Sequence, residues 1–229
     1  MEATRAIIRQ HGGPEVIEWE TVDLPPPGPG EATIEHAAVG LNYIDTYHRR
    51  GIYPVELPSG LGMEASGRVL AVGEGVKDFA EGDRVATFGP LKGAYATHRT
   101  IGAEHLFKLP DAIDDRTAAA AILKACTTEF LVERCGKVEA GWPVLVHAAA
   151  GGTGLLLCQW LRHIGAEVIG TVSTEEKAEA ARAAGCDHVI FYKRENTAER
   201  VREITGGAGV RVVFDGIGRS TWETSLDST

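Results

Sequence analysis

Short apolar or alternating runs fill the first half of the chain, at Thr4 to Arg9, Val16 to Thr21, Ala32 to Val39, Arg68 to Val72, Ala94 to Arg99 and Leu106 to Leu109. Gly12-Gly13-Pro14, the run from Pro25 to Gly30 and Gly89-Pro90 separate them. Glycine opens backbone conformations closed to other residues and proline withdraws a ladder donor, so these are turns. Closely spaced short strands predict a small barrel or sandwich. Leu41 to Arg50 interrupts them as a short helix, with Gly51 as its stop.

The second half has a different period. Asp114 or Asp115 can cap a helix from about Thr117 to Glu133, an alanine-rich stretch of high helix propensity. Buried-type strands at Val144 to Ala148, Val168 to Val172, Val189 to Tyr192 and Val210 to Asp215 then alternate with helical stretches at 154–164, 175–184 and 195–204. Such alternation predicts a parallel sheet covered by helices. The change of period places a domain boundary between about 115 and 135.

Composition narrows the class. The chain has 23 Lys and Arg against 32 Asp and Glu, a net charge of −9, and 44% hydrophobic residues, enough for a core. It carries no block of Lys or Arg to supply the clustered positive field that nucleic-acid phosphates require. No apolar run reaches the length of a membrane span, and Met1-Glu2-Ala3-Thr4-Arg5 has no apolar signal core, so a soluble cytoplasmic protein is expected. Cys126, Cys135, Cys158 and Cys186 are scattered and form no C-x-x-C pair, which predicts reduced thiols.

The chemistry concentrates at Pro143-Val144-Leu145-Val146-His147-Ala148-Ala149-Ala150-Gly151-Gly152-Thr153-Gly154, a strand, a glycine turn and a helix start in that order. This is a variant dinucleotide fingerprint, with Ala149, Gly151 and Gly154 in the three glycine positions. Gly151 and Gly152 would let backbone approach a pyrophosphate, and Gly154 would let the helix pack close, its first N–H groups facing the phosphate charge. The end of the next strand distinguishes cofactors, because an acid there bonds a free ribose 2′-hydroxyl. Here that segment reads Thr171-Val172-Ser173-Thr174, without an acid. Ser173 can donate to a 2′-phosphate and Lys177 can add a positive charge, a combination that favours NADPH. The alternative is that Ser173 with Glu176 forms a capping box and Lys177 is a solvated helix residue.

Gly141-Trp142-x-x-Leu145, Ala149-Ala150-Gly151-Gly152-x-Gly154 and Gln159-x-x-Arg162 together resemble the signature of zeta-crystallin-type quinone oxidoreductases. Gly62-Met63-Glu64-Ala65-Ser66-Gly67-Arg68-Val69, Val72-Gly73 and Gly82-Asp83-Arg84-Val85 resemble the wider medium-chain dehydrogenase/reductase pattern. The resemblance implies a GroES-like β-barrel substrate domain over 1–125 and a Rossmann NADPH-binding domain over 126–229. It further implies a homodimer and an active site in the cleft between the domains. Zinc-dependent relatives keep a histidine before the glutamate and a cysteine in the earlier helix, whereas this chain has Met63 and no cysteine in Leu41 to Asp45. A zinc-free enzyme is therefore expected.

By the same resemblance, Asn42, Tyr43, Ile44, Asp45, Thr46 and Tyr47 line the nicotinamide end of the cleft. Asn42, Tyr47 and Tyr53 are the candidate substrate contacts, and no residue is assigned as a dedicated acid or base. Thr127, Ser173, Lys177 and Tyr192 match further cofactor positions, alongside Gly151, Gly152, Thr153 and Gly154. The chain departs from the pattern at Glu129 and Phe130, where relatives often carry tyrosines, and at Gly216, where some have serine. The family pattern also continues for roughly another hundred residues, about half a domain. The Rossmann sheet is accordingly expected to be incomplete at its C-terminal end, with the strand at Val210 to Asp215 an open edge.

The function implied is NADPH-dependent reduction of a quinone by hydride transfer. Its rival is NADPH-dependent reduction of the double bond of an enone or enal, which uses the same hydride. A third reading is a non-catalytic, crystallin-like NADPH-binding protein. RNA binding is disfavoured by the −9 charge.

Overall fold

Two antiparallel sheets organise the first unit, Met1–Leu123, in the computed structural model, which describes residues 1–229. Its strands are β1 (Glu2–Ile8), β2 (Ile17–Asp23), β3 (Glu31–Gly40), β4 (Ser59–Gly60), β5 (Glu64–Val72), β6 (Arg84–Phe88), β7 (His98–Gly102) and β8 (Leu106–Lys108). They pair in the orders β2-β1-β4 and β7-β3-β5-β6-β8. An isolated bridge pairs Arg5 of β1 with Ala96, two residues before β7. Inward residues of the larger sheet, Ala32, Ile34, Val69, Val85, Ile101 and Leu106, form its core. Helix α1 (Tyr43–Arg50) is closed by Gly51 at φ 71°, a left-handed position that favours glycine.

The structure corrects several expected bounds in this unit. β6 was not expected, because Val85, Ala86 and Thr87 are all buried and show no alternation. The run at Ala94 to Arg99 becomes strand only at His98: Ala94 and Tyr95 donate instead to the carbonyls of Gly62 and Leu61. At that crossing a Cβ on Gly60 would lie 2.9 Å from Gly93 Cα, so the two glycines permit the backbones to touch.

Helix α2 (Asp115–Glu129) is capped by Asp114, whose carboxylate accepts the Thr117 N–H at 2.9 Å, and the boundary between the two units falls within it. It widens into π-helical turns over Phe130–Gly136 rather than running on as an α-helix. The second unit, Lys124–Thr229, then alternates β9 (Pro143–Val146), α3 (Gly152–Ile164), β10 (Glu167–Val172), α4 (Glu175–Ala183), β11 (His188–Phe191), α5 (Thr197–Ile204), β12 (Val212–Phe214) and α6 (Trp222–Asp227). The sheet is parallel in the order β11-β10-β9-β12. Counting strands from β9 this is 3-2-1-4, the Rossmann arrangement, with its reversal of direction between β9 and β12.

Alternation along the strands serves both faces of this sheet. Val144, Val146 and Val168 pack with Leu157 and Leu161 of α3 and Ala178 and Ala181 of α4. Leu145, Ile169 and Ile190 pack with Val201 of α5. The four expected strands are all present, β12 lies at the sheet's edge, and α6 is an element with no counterpart among those the sequence predicts.

Candidate active site

In the first unit, β3 ends at Gly40 opposite Glu64, the first residue of β5. A Cβ at position 40 would collide with the Glu64 carboxylate and the Ala119 carbonyl, so the missing side chain makes room for a fully buried acid. Glu64 Oε2 accepts from Asn42 Nδ2 at 2.7 Å and its Oε1 accepts the Leu123 N–H at 2.8 Å. Asn42 precedes α1, and its N–H is received by Asp45 Oδ2 at 2.9 Å. The same oxygen accepts the Tyr95 hydroxyl at 2.7 Å, while Asp45 Oδ1 is buried without a partner. Burial, then the hydrogen bond and charge of Asp45, push the Tyr95 hydroxyl above its ordinary range. Burial pulls His48 down, Lys92 adds to this and Asp45 opposes it.

Three tyrosine rings of α1 and the turn after it lie beside this polar layer. Tyr43 meets Tyr47 edge-on with centroids 5.2 Å apart, and Tyr47 meets Tyr53 at 5.2 Å. Tyr43 and Tyr53 are exposed, Tyr47 is half-buried, and Thr46 donates to the Tyr43 carbonyl at 2.7 Å. Of the residues expected here, Asn42 and Asp45 are therefore engaged in fixing the start of α1. The tyrosines present apolar faces with phenolic tips, suited to a flat ring. Glu64 and Tyr95 were not singled out from sequence; the signal available was a carboxylate within the apolar start of a strand.

The second unit places Gly151 immediately before α3 and Gly152, Thr153 and Gly154 in its first turn. The need for glycine arises from crowding, since Gly151 sits at φ −77°. A Cβ on Gly154 would collide with the Ala148 carbonyl and lie 2.9 Å from Ala149 backbone. A Cβ on Gly152 would fall 3.0 Å from Cδ and Cε of Lys124, so that lysine's stem runs over the turn. The left-handed residue of the turn is Ala148, at φ 50°. The opening N–H groups of a helix have no carbonyl behind them, and this turn is exposed, so the cradle fits a pyrophosphate.

One strand over, Ser173 follows β10 and Lys177 Nζ lies 3.3 Å from its hydroxyl. The N-cap of α4 is Thr174, which accepts the Lys177 N–H at 3.4 Å. The capping box of Ser173 with Glu176 is thereby corrected: Thr174 holds the cap, and Ser173 is left beside the lysine. Tyr192 directly follows β11, half exposed, and its N–H reaches the Val172 carbonyl. Glu175 faces Arg194 at 3.8 Å. These groups share the carboxyl edge of the sheet with the glycine turn, and their hydroxyl and ammonium donors suit a 2′-phosphate. Thr127 lies on α2, and Glu129 ends that helix paired with Arg134 at 3.2 Å, next to exposed Phe130. No three His, Cys, Asp or Glu side chains gather in a way that could hold a metal ion.

Comparison with known proteins decides the family. Residues 28–111 match the alcohol dehydrogenase GroES-like domain and residues 152–229 match the zinc-binding dehydrogenase family. Quinone oxidoreductase 1 of Escherichia coli is 47% identical over 226 residues, covering 98% of this chain and 69% of that protein. The chain belongs to the quinone oxidoreductase family. The crystal structure of Escherichia coli quinone oxidoreductase complexed with NADPH superposes with a TM-score of 0.96 at 46% identity, over 98% of this chain and 69% of that one. A 2-haloacrylate reductase of Burkholderia sp is 49% identical over 228 residues, 97% of this chain and 68% of that protein. Within this quinone oxidoreductase fold, the first unit is the GroES-like domain and the second is Rossmann-like.

Proposed function

We propose that this chain reduces quinones with NADPH, through a GroES-like substrate domain over 1–125 and a Rossmann cofactor domain over 126–229. The observation that carries the reading is the pairing of Ser173 with Lys177 at the end of β10, where no acid stands, in a chain so similar to a quinone oxidoreductase solved with NADPH. NADPH, when bound, supplies the hydride. Gly151, Gly152, Thr153 and Gly154 receive its pyrophosphate, Ser173 and Lys177 its 2′-phosphate, and Tyr192 and Thr127 flank it. The segment Asn42, Tyr43, Ile44, Asp45, Thr46 and Tyr47 orients the nicotinamide, and Asn42, Tyr47 and Tyr53 contact the quinone. The chain's contribution is orientation and the stabilisation of oxyanion charge, with water as the source of the balancing proton. The residues present offer no zinc site, so turnover is expected to survive a chelator.

Oxidation of NADPH and NADH, followed by the loss of reduced-nicotinamide absorbance with an ortho-quinone acceptor, tests the reading. Turnover with NADPH in clear preference to NADH supports it, and equal use of both removes the role of Ser173 and Lys177. The 2-haloacrylate reductase relative gives a second reading, reduction of an activated carbon–carbon double bond, and an enone in place of the quinone separates the two. We further infer a cytoplasmic homodimer, to be checked by sedimentation. No helix of the chain is long and apolar enough to cross a membrane.

A further inference from the structure

A side-chain relay, buried except at its Asp215 end, crosses the carboxyl edge of the parallel sheet, apart from every residue assigned above. His147, directly after β9, places Nδ1 3.2 Å from Thr171 Oγ1 in β10 and Nε2 3.2 Å from Ser225 Oγ in α6. Ser225 donates to Asp215 Oδ2 at 2.7 Å, just past β12. The serine fixes the direction of the bond at Nε2. Ser225 has one hydroxyl hydrogen and Asp215 takes it, so His147 donates from Nε2; in the neutral ring Nδ1 is then an acceptor, and the hydrogen on offer to it is that of Thr171. The same Thr171 oxygen accepts the Ala148 N–H at 3.2 Å, and the Thr171 carbonyl accepts the Ala149 N–H at 3.1 Å. At the far end, Asp215 Oδ1 receives the N–H groups of Ile217 and Gly218 and the Thr221 hydroxyl. This order excludes a nucleophilic triad, because the serine proton points to the carboxylate and away from the imidazole.

We propose that His147 is a positioning residue for the cofactor: in its neutral Nε2–H form it locks the glycine turn after β9 to the loop Asp215–Gly218 after β12. Those segments flank the reversal between β9 and β12, the place where ligands lie in open α/β sheets. The proposal rests on the NADPH reading of this site. Burial keeps the imidazole below its ordinary titration range, opposed by Asp215 across the relay, which agrees with a neutral ring. The residue acts on the turn and loop, away from the 2′-phosphate groups, so NADPH and NADH are affected alike.

The test is fluorescence titration of NADPH and NADH into the whole chain and its His147→Phe, His147→Asn and His147→Gln variants, with fold checked by circular dichroism. Phenylalanine keeps the ring and loses both bonds; asparagine keeps the acceptor and glutamine the donor. Positioning predicts that phenylalanine raises both dissociation constants on the order of tenfold and that the two amides fall between it and wild type. Near wild-type binding by His147→Phe, or tighter binding by it than by the amides, means the ring only fills space and overturns the proposal. Should His147→Phe not fold, Thr171→Val against Thr171→Ser asks the same question, with weak binding by valine and recovery by serine expected; equal binding by both overturns the role. Failure of the wild type to bind either nucleotide is a separate result, which removes the cofactor reading itself and this role with it.

Discussion

The two units build their candidate sites from different material. In the first, side chains do the work: Glu64, Asn42, Asp45 and Tyr95 interlock below a row of tyrosines. In the second, backbone does it: the glycine turn offers N–H groups, and the side chains around it hold the main chain in place. A side-chain site changes its chemistry with each substitution, whereas a backbone site fails by being filled. Damage should therefore be abrupt in the second unit and graded in the first.

The largest expected effect is Gly154→Val, which drives a branched side chain into the Ala148 carbonyl and Ala149. Overpacking against backbone should cost about 3 kcal/mol or more and abolish nucleotide binding, read by thermal melting and NADPH titration. Glu64→Ala strands the Asn42 amide and the Leu123 N–H in a buried place. Urea unfolding should register a loss of about 2 to 3 kcal/mol, with quinone turnover reduced and nucleotide binding retained. Lys177→Ala sharpens the contrast, since it removes a side chain from the backbone-built site: NADPH should weaken roughly tenfold or more and NADH less than twofold. A comparable loss for both nucleotides would show that Lys177 does not read the 2′-phosphate.

The smallest effect is one of pH. His36, in the first unit, is pushed down to about 4 by burial, against the bond its Nδ1 makes to the Ala96 carbonyl at 2.8 Å. The unfolded chain holds the extra proton below about 6.5, so the stabilisation is complete above that value and is lost as pH falls toward 4. Relative to about pH 8, the deficit at about pH 5.5 should be about 1.4 kcal/mol and should vanish in His36→Gln, measured by urea unfolding at those two pH values.

Legibility followed the same division. The glycine turn could be read because its parts are consecutive residues, and the alternation of Val144 to Val146 and Val168 to Val172 announced a sheet covered on both faces. The first-unit site could not be derived locally. Asn42 meets Glu64 across 22 positions and Asp45 meets Tyr95 across 50, through a register set only when the strands pair. His147 and Ser225 are 78 positions apart, and α6 shows no long apolar period. Thr174 displaced Ser173 as the cap because helix starts are ambiguous by a residue when two hydroxyls adjoin.

Ala148 holds φ 50° at the head of the glycine turn, a conformation costing an L-residue about 1 to 2 kcal/mol. That cost is met just past β9, where the Ala148 and Ala149 N–H groups are both held by Thr171. Amide exchange at Ala148 should therefore quicken in Thr171→Val, which removes the hydroxyl that holds its N–H, and slow when nucleotide arrives. The end of β9 is thus a sprung piece of backbone, bent into a costly shape and kept there by the strand beside it.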